Sequence, residues 1–174
     1  YKEMVMKRIT FFLFAMLISS MSLFTACSDD DDDATSSEMV AGTYNGTLVV
    51  SLGGTEVANE PKSLSLVKNG DDAIDVVIND FKLNVSLGGA VIPVSLGNLK
   101  VEKCTLTQKD GKYTFNGSKD LKDIEVPLGD GDPTPVDCTV NIVNATVEGN
   151  NLNLPIVVGV MGTLTVNVQY TGTK

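Results

Sequence analysis

The sequence predicts an all-β domain behind an export leader: an antiparallel barrel of eight to ten strands, with a two-sheet sandwich as the alternative. Three observations point that way. From Gly42 onward apolar residues recur at every second position, glycine-centred turn pairs separate those runs, and no stretch after the leader carries helical periodicity of useful length.

The leader comes first. Lys2, Lys7 and Arg8 make a basic start, and Ile9 to Phe24 is an apolar run of 16 residues, where a spanning helix needs about 20. Basic start, short apolar run, then small residues is the pattern of a secretory signal peptide, assigned to residues 1–26. The chain opens on Tyr1, which makes Met4 and Met6 candidate starts. The region "LFTAC" resembles the bacterial lipobox, in which a small residue precedes a cysteine that becomes the acylated mature N-terminus. Thr25 and Ala26 match it; Phe24 stands where leucine is usual, with Leu23 one place earlier. The resemblance implies lipidation of Cys27. Each buried CH₂ contributes about 0.8 kcal/mol, so one chain binds marginally and two or more anchor stably.

Ser28, Asp29, Asp30, Asp31, Asp32 and Asp33 follow that cysteine. The run "CSDDDDD" resembles the export signal of Bacteroidota surface lipoproteins, which sends them to the outer face of the cell. Read as a plain polymer it is a solvated, self-repelling spacer, which would leave the protein facing the periplasm. Both readings make residues 27–40 a tether, disordered from Ser28 to Glu38, and give residues 41–174 to the barrel domain.

Inside the domain the alternation runs strand by strand. "TYNGTLVVSL" sets Tyr44, Gly46, Leu48, Val50 and Leu52 on one face. Leu64 and Leu66, then Ile74, Val76 and Ile78, continue the pattern. "FKLNVSL" points Phe81, Leu83, Val85 and Leu87 inward, opposite Lys82, Asn84 and Ser86. Later runs align Leu152, Leu154, Ile156 and Val158, then Leu164, Val166, Val168 and Tyr170. Turns fall at Gly53-Gly54, Asn69-Gly70, Gly88-Gly89, Asp110-Gly111 and Gly149-Asn150, each offering a residue suited to positive φ. Pro93 and Pro155 interrupt strand-like runs, and edges or bulges are expected there.

The order "AGTYNGTLVVSLGG", "INDFKLNV", "LGNLKVEKCTL", "DGKYTFNG" and "VQYTG" resembles the calycin-like β-barrel lipoproteins of Bacteroidota over residues 41 to 173. The resemblance implies an eight-stranded calycin barrel with no assigned activity. True lipocalins are more distant. Their first strand opens Gly-x-Trp, where this chain has Gly42-Thr43-Tyr44, and their closing arginine, packed on that tryptophan, has no counterpart, since the end carries only Lys174.

Composition removes several functions. Net charge over the 174 residues is −9, and Arg8 is the sole arginine. Residues 39–174 hold ten lysines against 15 acids, without a basic cluster, so neither nucleic acid nor an anionic lipid surface is an expected partner. With no histidine there is no Ser-His or Cys-His nucleophile and no imidazole metal ligand. No phosphate-binding or dinucleotide-binding glycine signature is present, and no cofactor is expected. Cys104 and Cys138 are a candidate disulfide, or else buried free thiols. Asp130, Asp132 and Asp137 crowd one loop, but Pro133 and the missing terminal glutamate break the calcium-loop pattern, so a solvated loop and no metal is the reading. Glu102 and Glu125 are the arguable pair for glycoside hydrolysis.

These observations predict a non-catalytic binding or scaffold module held to the outer membrane by its lipid and facing the cell exterior. Its partner is an envelope protein or, in the alternative, a small apolar ligand inside the barrel. A hydrolase is the least favoured reading. The filled interior is the default.

Overall fold

The computed structural model describes residues 35–87, 89–127 and 130–174. Cys27, Ser28 and Asp29 to Asp33 lie outside them. Eight antiparallel strands follow chain order around a closed barrel: β1 (Gly42–Leu52), β2 (Thr55–Lys68), β3 (Ala73–Leu87), β4 (Ala90–Lys109), β5 (Lys112–Val126), β6 (Thr134–Glu148), β7 (Asn151–Val160) and β8 (Leu164–Thr173). The sandwich alternative falls because β8 returns to pair with β1, from Asn45↔Thr173 to Leu52↔Val166. The count is eight because "AIDVVIN" and "FKLNVSL" are one strand, β3.

The alternation puts one face of every strand inside. On β8, Val166, Val168 and Tyr170 are buried while Thr165, Asn167 and Gln169 face out. On β3, Phe81, Leu83 and Val85 are buried and Lys82 and Asn84 exposed; the side chains of Ser86 and Leu87 lie outside the described ones. Asp110-Gly111, between Lys109 and its partner Lys112, takes positive φ at both residues (53° and 77°), as a two-residue hairpin turn requires.

Period two breaks at four non-glycine residues of positive φ inside strands: Asp80, Lys103, Asp123 and Asn144. Each coincides with a register shift. A bulge inserts an extra residue whose N–H has no ladder partner, and here the facing strand supplies one each time. Asn98 Oδ1 accepts from the Asp80 N–H (3.0 Å), Asp75 Oδ1 from Lys103 (3.0 Å) and Asn116 Oδ1 from Asn144 (2.8 Å). The Asp137 carboxylate accepts from Asp123. The two interrupting prolines obey the same accounting. Pro155 lies opposite the register shift between Ile142 and Thr146, and Pro93 sits on a stretch of β4 paired only to β3.

One end of the barrel is shut. A short helix, α1 (Ser36–Val40), lies across it, its first N–H groups helped by Glu38, whose carboxylate accepts from Thr35 N–H at 3.1 Å. The buried Ser37 hydroxyl donates to Gly70 O at 2.6 Å, and Ser37 N–H donates to Asp71 O at 3.0 Å. The stretch expected to be disordered up to Glu38 is thus ordered from Thr35, because Ser37 and Val40 are buried against the barrel end. Below the helix, Tyr44 donates to Val40 O (2.8 Å). Tyr170 lies 3.0 Å from both Tyr44 O and Lys62 O and shares its one proton between them. Burial pushes the Tyr44 phenol up to about 12. The Lys174 ammonium donates to Met39 O (2.7 Å) and Ala41 O (3.1 Å) and stands 5.8 Å over the Tyr44 ring. The closing cation expected to lack a counterpart therefore has one in kind. It is a lysine over a tyrosine, Lys174 over Tyr44.

The wall is not continuous toward the other end. β2 pairs with β3 over four residue pairs, Ser65↔Val77 to Lys68↔Ile74, and β4 with β5 over four, Leu106↔Phe115 to Lys109↔Lys112. The β3–β4 ladder runs on to Leu87↔Ala90. The hairpin beyond Phe81 and Gly97 is thus a two-stranded arm with no backbone ladder on either flank. Lys62 reaches across one gap to Asp80 O (2.8 Å). Pro61 and Lys62 on β2 and Pro93 on the arm blunt these open edges against pairing with another chain.

Candidate ligand site at the barrel mouth

Opposite α1, where the β3–β4 and β7–β8 hairpins turn, the interior opens into a cavity of about 310 Å³. Val85, Ile92 and Val94 of the arm form one wall, Val160, Met161, Thr163 and Leu164 of the β7–β8 hairpin the other, and Val126 ends β5 between them. It lies where β4 has parted from β5. Among the described lining residues Thr163 alone has a polar side chain, so these residues select by apolar contact. Deeper in, Tyr44, Tyr170, Phe81, Phe115, Leu48 and Leu83 are fully buried and fill the centre. The interior is packed in its lower part and hollow at its mouth.

The other candidates do not converge on this place. Cys104 and Cys138 are free, buried thiols rather than a disulfide. Cys104 on β4 sits against Gly117 of β5, where an added Cβ would come within 2.5 Å of its sulfur. Gly117 pairs with Ile142 of β6, four residues along from Cys138. Four residues span about 13 Å and two strand spacings about 9.5 Å, well beyond the roughly 7 Å limit for a bridge. Burial, with the charge of Asp75 adding to it, pushes the Cys104 thiol up to about 11, so it stays protonated and unreactive at neutral pH.

Asp130 and Asp132 are exposed in the β5–β6 turn, while Asp137 points away from them on β6 to pair with Lys122 at 2.9 Å. Glu102 pairs with Lys100 at 3.1 Å, and Glu125 lines a separate outer groove with Glu60, Lys62 and Lys82, so the two glutamates are not brought to one cleft. Asp75 is the buried carboxylate of the described residues. Burial alone would raise it, but the Asn69 amide, the Lys103 N–H and the Lys100 ammonium together hold it below the ordinary range. Every one of its contacts is structural.

Sequence reasoning placed Val85 and Leu164 on inward faces without marking the mouth. Val126, Val160 and Met161 were missed. Their available signal was position: each closes a strand or opens a turn at the end away from Thr35.

A family model for the calycin-like beta-barrel domain matches residues 40–173. The chain belongs to that family. A crystal structure from Bacteroides fragilis, of a "putative outer membrane protein", matches this calycin-like barrel at a TM-score of 0.56 and 21% identity, over 79% of this chain and 52% of that one. The chain spans about half the length of that protein, and the likeness is one of fold. No curated protein matches the sequence.

Proposed function

We propose that this calycin-like protein is a lipid-anchored envelope protein, exposed at the cell surface, whose barrel is a non-catalytic module binding an apolar group at its mouth. The cavity between the arm and the β7–β8 hairpin carries the reading. At about 310 Å³ it is near the lower bound of small-molecule sites, with room for roughly ten waters or an apolar moiety of similar size. Ten methylenes at about 0.8 kcal/mol give about 8 kcal/mol gross. Association costs at least about 4, which leaves affinity near the millimolar scale. The cavity suits one end of a larger apolar ligand.

The leader supports the location. Cys27 follows a lipobox-like sequence and Asp29 to Asp33 follow Cys27, and the matched Bacteroides protein is described as a "putative outer membrane protein". Thr35, the first described residue, lies at the shut end of the barrel, opposite the mouth. Cys27→Ser should abolish labelling by a palmitate analogue and release the protein from membranes; a labelled, membrane-bound variant would refute the anchor. For the mouth, Leu164→Asp should eliminate binding of an apolar dye while Asn84→Asp leaves it unchanged. Equal binding by both would refute the site.

A further inference from the structure

We propose that the β3–β4 arm is a hinged wall of the mouth cavity, whose tip swings to admit an apolar ligand; this rests on the mouth being the binding site. Three observations combine. The ladders to β2 and β5 both stop before the arm, so side-chain packing alone seats its tip. At its base, the pair Phe81↔Gly97 has a register shift on either side, with Asp80 (φ 50°) and Gly97 (φ 66°) in the left-handed region, which uncouples the tip from the stem. Three of the cavity's lining residues, Val85, Ile92 and Val94, ride on the tip.

The base is tied by polar contacts as well as packing, while the tip is seated by the packing of Leu83, Val85 and Val94 alone. Phe81 and Leu96 are buried, Lys62 bonds Asp80 O, and Lys82 pairs with Asp80 at 3.1 Å, all next to the bulge. Movement of the tip would widen the gap between β4 and β5 beside Val126. A ligand larger than the resting cavity could then enter from the side as well as from above.

The test uses the unacylated mature chain, Cys27–Lys174, with Nile red as the apolar probe. By hydrogen exchange, amides bonded within the Lys82–Leu87 and Ala90–Ser95 ladder should exchange about tenfold faster than those of the β7–β8 ladder, and slow on dye binding. In the double variant Asn84→Lys, Lys82→Arg, a short amine-reactive bis(succinimidyl ester), forming an amide at Lys62 and another at the amine introduced by Asn84→Lys with release of two N-hydroxysuccinimides, should slow dye uptake about tenfold. Dye binding with arm amides as slow as β7–β8, or with uptake unchanged by the cross-link, would overturn the arm alone. No dye binding in any form would overturn the mouth as the site.

Discussion

The end of the barrel under α1 and the end under the arm are made of the same alternating strands and reach opposite results. At the first, the hydroxyls of Tyr44, Tyr170 and Ser37 and the ammonium of Lys174 all go to backbone carbonyls of other segments. At the second, aliphatic side chains stop short of one another and two ladders end early. Inward alternation alone therefore makes a tube. Whether an end of the tube is sealed depends on polar side chains that tie one strand's backbone to another's.

The seam between β1 and β8 offers the sharpest break of this contrast. A Cβ on Gly46 would lie 1.9 Å from Thr171 O and 2.4 Å from Gly172 Cα, both backbone atoms that cannot swing aside. Gly46→Val should therefore cost more than about 4 kcal/mol or prevent folding. Far-ultraviolet circular dichroism with thermal melting reads this, and a loss below 1 kcal/mol on the same scale would mean the seam is not what closes the barrel.

Leu83 comes next in size. It is fully buried, so Leu83→Ala should cost about 2 to 5 kcal/mol in urea unfolding. Asn84→Ala, on the outer face of the same strand, should stay within about 0.5 kcal/mol. A mobile arm moves the Leu83 value to the low end and raises dye binding, while a rigid one leaves dye binding unchanged.

Asp75 gives the contrast a pH axis. Its folded carboxyl titrates below the ordinary 3.8. The stability it contributes is then complete above that unfolded value and is lost as pH falls through the lower, folded one. The melting temperature should drop on acidification below about pH 4, and Asp75→Asn should flatten that limb. An unaltered limb in the variant would assign acid sensitivity to other carboxylates.

The smallest effect on stability belongs to the mouth. Leu164 is only half-buried, so Leu164→Ala should cost less than about 1 kcal/mol while lowering dye affinity severalfold. A large loss of stability there would mean the mouth is part of the packed core.

The strands, their faces and most of their turns were legible because period two and glycine pairs are local signals. Periodicity alone left their number between eight and ten. The phase slips at Asp80, where an unpaired N–H is met by Asn98 far along the chain, so one bent strand reads as two. α1 is too short for periodicity to show, although Thr35 and Glu38 have the spacing of a capping box. The closing role of Lys174 and the separation of the cysteines depend on which strands are neighbours. The early end of two ladders, which creates the arm and the cavity, leaves no local mark at all.

The first strand has one further consequence, for load. It is laddered on both sides, to β2 from Gly42↔Leu66 to Leu52↔Thr55 and to β8 over most of its length. A pull applied to the chain at Thr35 must first strip α1 from Gly70, Asp71 and Lys174, and is then directed along β1. Force in that direction loads both ladders at once in shear instead of opening them bond by bond. A barrel pulled at that end would thus bear the load through two ladders, while the arm at the far end carries none of the tension.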